Sequence, residues 1–322
     1  MAVNDKISAT DYNAIRNPLA NVLSTGSADS GWGQAMDSVA VAEHDRVTAT
    51  QIAKLRNDIV NAHTHIFGTA PTPVSVVEGD TVRFNASTAP VTSYTTAVNN
   101  IIANRFTVAG SQSAVQTYST SSTSWPGIYG ADWSGLLTCT ITASWPSADQ
   151  ARHFWNSGGK IRITTSRAGG SSTTQNTQWT SILSSAGTQS FGGAIPSTGV
   201  SPNDGQNWFR CSNSRQLWYS LSGSSPYGAN TYRIYARTLN AVANSNSTGT
   251  ASQGEWHIEF VDNYVDPGPA TPENPPPGDS VDGTFSVAVN FLYATGILSP
   301  LGLGNFTVTL PTVSVGQIQE VS

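Results

Sequence analysis

The chain is poor in charge, very poor in lysine and nearly free of cysteine. Charged residues fill 11% of its 322 positions, less than half the usual share of a globular domain. Lysine occurs only at Lys6, Lys54 and Lys160, and the arginines are scattered. With no basic stripe to neutralise phosphates, nucleic acid is not an expected partner. No apolar run of about 18 residues occurs, so no membrane span is expected. The opening MAVNDKISATDYN has no apolar h-region and no cleavage pattern, so no secretory signal is expected. Cys139 and Cys211 are too few for a zinc cluster; they read as two buried thiols in strand-like runs, and their spacing neither forbids nor requires a disulfide.

Catalytic signatures are also missing. There is no G-x-S-x-G, no H-E-x-x-H, no phosphate loop and no dinucleotide fingerprint. No catalytic residue, cofactor or metal is assigned, and the chain reads as a non-enzyme. What replaces charge is Ser and Thr, about a quarter of the chain, with 29 Gly. That is the composition of β-structure with many turns, or of a surface that other proteins cover. The net charge is −5.

A short phrase is written twice near the start. ISATDYNAIRN begins at Ile7 and VTATQIAKLRN at Val47. In the second copy Thr48 and Gln51 form a capping box, and Ile52, Leu55, Ile59, Ala62 and Ile66 follow at helical spacing. The first copy repeats the stripe as Tyr12, Ile15, Leu19, Val22 and Leu23, with a less tidy start. Pro18 lies inside it and predicts a kink or an early break. Residues 1–70 are read as a helical docking module, and Tyr12, Ile15, Leu19, Ile52, Leu55 and Ile59 as its docking stripe. His63 and His65 form H-x-H at its end. On an extended segment that spacing puts both rings on one side, where a threefold fibre could ring a metal; helix-end capping is the commoner use.

Residues 71–265 read as an α+β body, mainly antiparallel strands with a few short helices on one side. Strands are expected in VEGDTVRF, LLTCTITASW, KIRITTSR, TQSFGG, QNWFRCS, RQLWYSLSG, NTYRIYARTLN and GEWHIEFVDNY. Helices are expected in SYTTAVNNIIANRF, SADQARHFWNSGG and NTQWTSILSSAG, the second opened by a capping box of Ser147 and Gln150. Glu255, His257 and Glu259 alternate with Trp256, Ile258 and Phe260, which places two carboxylates and an imidazole on one strand face. A wet outer face or a metal set would both be written that way. The aromatics read as core, with Trp125, Trp133 and Trp208 as the alternative, a platform for stacking sugar rings.

Six prolines from Pro267 to Pro277 read as a stiff linker over 266–280, about 40 Å long if extended. The segment 281–322 has one charged side chain after Asp282, namely Glu320. Phe285, Val287, Val289 and Phe291 alternate with small residues, as do Phe306, Val308 and Leu310, so two or more strands are expected. So small a segment needs other protein to cover it, either its own body or a neighbouring chain, and the proline spacer favours the neighbour.

The paired ISATDYNAIRN and VTATQIAKLRNDIVNAHTH, the run DQARHFWNSGGKIRI and the VDGT at Val281 together resemble virion structural proteins of tailed bacteriophages, especially phages of cyanobacteria. The likeness spans most of the chain, and its clearest motifs cover about a fifth. It implies an assembly component of the tail, baseplate, neck or fibres, built in the host cytoplasm and located in the virion, with no catalytic residues. Expected partners are further copies of itself, as a homotrimer or in a hexameric ring, and neighbouring virion proteins. Two alternatives stand beside it. One is a receptor-binding protein gripping host-surface glycan through Trp125, Trp133 and Trp208. The other is a glycan-cleaving tail enzyme.

Overall fold

The computed structural model describes residues 7–71, 93–121, 135–170, 172–193, 207–264, 281–295 and 308–321. The fold is α+β: three packed N-terminal helices, two antiparallel sheets with short helices, and small strands at the C-terminal end.

Both copies of the repeated phrase open a helix. In α1, Ala9–Leu23, the Ser8 hydroxyl accepts from the Asp11 N–H, and the Asp11 carboxylate accepts from the Ser8 N–H. In α2, Ala49–Phe67, Thr48 and Gln51 close the same reciprocal pair. The first start is therefore as complete as the second, with Asp11 in the place of Gln. α2 stops at Gly68, whose φ of 76° lies in the left-handed region that glycine adopts without a Cβ clash. Pro18 does not break α1, which runs on to Leu23. The carbonyl that Pro18 leaves without an amide belongs to Ala14, which is exposed, so water can take its place.

α3, Tyr94–Ala103, is capped by Ser93 and packs on α1 and α2. Tyr12, Ile15, Leu19, Ile52, Leu55 and Ile59 join Trp32, Tyr94 and Ile101 in one buried cluster. The apolar stripes thus meet each other and α3, and the six side chains expected to dock a neighbour lie inside the chain's own core. The reason is geometric. Two short stripes are each too narrow to stand alone, and a third helix of matching face completes their cover.

The strands divide between two sheets. The first has the order β1 (Ser113–Ser121), β8 (Thr284–Ala294), β3 (Lys160–Ala168), β4 (Thr188–Gly192). The second runs from β10 (Gln319–Val321) and β9 (Thr312–Val315), both paired to β2 (Gly135–Ser144), through β7 (Gln253–Asp262) and β6 (Thr231–Thr238) to β5 (Gln216–Ser222). Every pairing is antiparallel. The sheets face each other across a core of alternating side chains. Phe260 of β7 meets Phe285 of β8 at 4.9 Å, and Phe191 of β4 meets Trp256 of β7 at 5.5 Å. Helices α4 (Ala148–Asn156) and α5 (Thr174–Ala186) close this core with Phe154, Trp155, Trp179 and Leu183.

Several expectations change. Phe285, Val287, Val289 and Phe291 are the inner face of β8, a central strand between β1 and β3, so that segment completes the chain's own sheet. Residues 308–310 are not in a strand; the terminal strands are β9 and β10, and Phe306 lies outside the described residues, as does VEGDTVRF. QNWFRCS holds a single tight turn, Trp208–Arg210, capped by Asn207, and no strand. Ser147 caps α4 by accepting from the Gln150 N–H. Cys139 and Cys211 are buried free thiols, and burial pushes each up to about 12.

The proline segment itself lies outside the described residues, but its two ends do not. Before it, the Asp262 carboxylate accepts from Gln175 Nε2 at 2.7 Å to both oxygens. After it, Asp282 pairs with Arg167 at 3.1 Å and with Asn176, whose Oδ1 accepts from the Asp282 N–H. Gln175 and Asn176 are adjacent on α5. The residues on either side of the segment, Asp262 and Asp282, thus bind neighbouring positions of α5.

Candidate functional site: the open faces of the two sheets

The helical cluster is fixed to the sandwich by a polar joint at the end of α4. Trp32 Nε1 donates to the carbonyls of Asn156 at 2.9 Å and Arg105 at 3.1 Å. His65 Nε2 donates to the Ser157 carbonyl at 2.9 Å, and its ring lies 4.4 Å from Trp32. Arg152 and His153 both donate to the Thr25 carbonyl. Gly33 is required here: its φ is +73°, and a Cβ would stand 2.3 Å from His153 Nδ1. Burial lowers His65 to about 4, with its bond to Ser157 opposing. Because α2 continues through His63 and His65, their two-residue spacing separates the rings around the helix. His65 is buried in the joint, while His63 stacks on Phe67 and contacts the Thr69 carbonyl, so the two do not share a metal.

The open face of the second sheet is an array in register. Thr138, Thr140 and Thr142 of β2 stand opposite Glu259, His257 and Glu255 of β7, which stand opposite Arg233, Tyr235 and Arg237 of β6. Glu255 is held from two sides: Arg237 binds it with Nε at 2.9 Å and Nη2 at 2.7 Å, and Arg215 with Nε at 2.9 Å. Burial would raise this carboxylate, but the bonds and charges of Arg237 and Arg215 outweigh it and hold Glu255 below its usual range. His257 lies between Thr140 Oγ1, 3.1 Å from Nδ1, and Glu259 Oε1, 3.5 Å from Nε2. Burial, then Arg215, lowers its pKa against the pull of Glu259 and Glu255.

Hydroxyl, imidazole and carboxylate in a row could pass a proton. Thr140 is nevertheless fixed in the middle of a strand paired on both sides, with its carbonyl accepting from the Gly316 N–H at 2.8 Å. Among the described residues no group of His, Cys, Asp and Glu has the make-up of a metal site, and Glu255 is already taken by its arginines. The array serves best as a charged zip that fixes register between β2, β7 and β6. Sequence reading found the Glu-His-Glu column and missed its partners. The signal was there, in the alternation of LLTCTIT and TYRIYAR.

The open face of the first sheet is different. Its rows run Val115–Leu292–Lys160, Thr117–Asn290–Arg162–Ser190 and Ser119–Ala288–Thr164–Thr188. Hydroxyls and amides bond sideways, as Thr117 to Asn290 at 2.7 Å and Thr164 to Thr188 at 2.8 Å. Two cations stand on these rows and no carboxylate does. Burial, then the charge of Arg162, lowers the pKa of Lys160. A hydroxyl-lined groove of about 390 Å³ lies elsewhere, along α5, between Arg167 and Asn176, Thr177, Thr180, Ser181 and Ser184.

Trp208 is buried at 1% exposure and stacks on Trp155 at 5.0 Å, so it belongs to the core and is not a sugar platform. Trp125 and Trp133 lie outside the described residues. Val308 is half-buried where the two apolar clusters meet. No helix among the described residues is long and apolar enough to cross a membrane. No protein-family model, curated protein or solved structure matches the chain.

Proposed function

We propose that this chain is a non-enzymatic structural component of a tailed-phage particle, a tail, baseplate, neck or fibre part that assembles with copies of itself and with neighbouring virion proteins. The observation that carries this reading is the first sheet: a hydroxyl-rich face whose described rows hold no carboxylate, ending in a long uncharged edge strand. Such a strand presents unpaired backbone groups, and proteins that remain alone blunt their edges with charge, proline or a bulge. The helical cluster, joined to the sandwich through buried polar contacts, supports a rigid block. The low-charge Ser/Thr-rich composition and the likeness of the repeated phrase to phage virion proteins point the same way.

The test is peptide mass spectrometry on purified particles of the phage that encodes the chain, followed by a density map to place it. The expected result is a stoichiometric copy number per particle. Recovery of the chain only from the soluble lysate, or release of reducing sugar from host envelope polysaccharide by the purified chain, would overturn the reading.

A further inference from the structure

Strand β1 is nine residues long, SAVQTYSTS, without charge, proline or glycine. It forms the edge of its sheet, with Val115 half exposed and Thr117 and Ser119 also exposed. The other edges are guarded. β4 has five residues, β5 carries a bulge between Leu217 and Tyr219, and β9 and β10 have four and three residues. Among the edge strands of the described residues β1 alone is long and regular.

Its hydrogen-bond parity can be read from its neighbour. The Thr295 N–H donates to the Gln112 carbonyl, which extends the β1–β8 ladder one step beyond Ser113 and Ala294. Bonded pairs alternate in an antiparallel ladder, so the N–H and C=O groups of Val115, Thr117 and Ser119 point to the open edge. No backbone group from another described segment bonds to them.

We propose that β1 is a homotypic pairing surface, on which two copies join their β1 strands antiparallel about a two-fold axis at Thr117. This rests on the assembly reading above and names its contact. In that register every edge-directed residue meets another: Thr117 faces Thr117, and Val115 faces Ser119. All nine residues of each strand overlap, and about ten backbone bonds can form. Any other register of the same parity overlaps less. Charge permits the approach. β1 carries none, and Lys160 and Arg162 lie on β3, so the cations of two copies stand about 24 Å apart, beyond the screening length. A two-fold contact implies an even number of copies, which favours a hexameric ring over an isolated trimer.

The experiment is sedimentation of the full chain over a concentration series, beside Thr117→Lys and Ser119→Lys. Thr117→Lys sets two like charges opposite each other on the axis; on the β8 side it gives up the Thr117–Asn290 side-chain bond and keeps the backbone ladder, and Ser119→Lys leaves that bond in place. Even-numbered species are expected for the wild type, with the mass halved in T117K, unchanged melting, and amide exchange at Val115, Thr117 and Ser119 at least tenfold slower in the associated wild type. A monomeric wild type, or association that both lysine variants retain, overturns the proposal. So does protection of these amides only inside particles, which would assign the edge to another protein's strand. A monomeric T117K that still enters particles sinks the pairing and spares the virion reading. Pairing in a purified chain that is absent from particles does the reverse.

Discussion

The helical cluster and the sandwich both bury ionisable groups, and one group in each answers acid in the opposite way to the other. In the helical cluster His65 is lowered to about 4 by burial, while burial raises Asp58. In the sandwich Asp262 is raised to about 6 by burial against the bonds from Gln175 and the Tyr264 amide, while Glu255 and His257 are lowered. His65 is a base kept neutral and Asp262 an acid kept near neutrality. The contrast offers a way to ask whether joint and core unfold as separate cooperative units.

The largest effect should come from the core they do not share. Trp155 touches Trp145, Phe154, Phe191, Trp208 and Trp256. Trp155→Ala should cost about 4 kcal/mol and shift the urea midpoint of the whole chain. Trp32→Ala should cost about 3 kcal/mol but act on the joint. Hydrogen exchange should accelerate in α1, α2 and α3 while β2, β7 and β8 keep their protection. Equal acceleration everywhere would mean that the two regions unfold as one, and the contrast would fail.

Acid comes next. The unfolded value of His65 is 6.5 and its folded value about 4, so its stabilisation is complete above 6.5 and is lost as pH falls toward 4. From pH 7 to pH 5 His65 by itself should weaken the joint by about 2 kcal/mol, against Asp58 on the same helix, whose raised value acts the other way. Asp262 runs the other way. Its unfolded value is 3.8 and its folded value about 6, so its stabilisation is complete below 3.8 and is lost as pH rises through 6. Over the same step Asp262 by itself should add about 1 kcal/mol, while Glu255 and His257 on the same strand, both lowered, work against it. Segment-resolved exchange, corrected for intrinsic rates, isolates the Asp262 part as the difference between wild type and Asp262→Asn in β7. Asp262→Asn should remove the second slope and leave the first.

The same division explains what could be read in advance. Helical spacing marked α1, α2 and α3, a cap and glycine stops marked α4 and α5, and strand-like runs marked β2 to β8. β1 carried no such mark. Val115, Gln116, Thr117 and Ser119 are all exposed, so SAVQTYSTS has almost no alternation to detect. The helical stripes were correctly placed on helices, but their partner was not legible. Nothing in Tyr12 or Ile59 says that Tyr94 and Ile101 will cover them. The Glu-His-Glu column was visible, whereas its arginines came from β6 and from Arg215, and register between distant strands is not written in either strand alone.

The smallest effect tests the repetition itself. Ser8→Ala and Thr48→Ala each remove one capping hydroxyl, and each should cost about 1 kcal/mol. The two boxes differ in their return bond. Asp11 is a carboxylate in the first turn of α1, where it also meets the positive end of the helix dipole; Gln51 is neutral. Replacing Asp11 by Asn should therefore weaken α1 by a few tenths of a kcal/mol more at low salt than at high salt, while Gln51→Glu should strengthen α2 by a similar amount. Thermal melts in low and high salt decide it. If both substitutions are silent at low salt, the dipole contributes nothing at these ends. The two copies are then equivalent through hydrogen bonding alone, which is the simplest reason for a chain to write the same start twice.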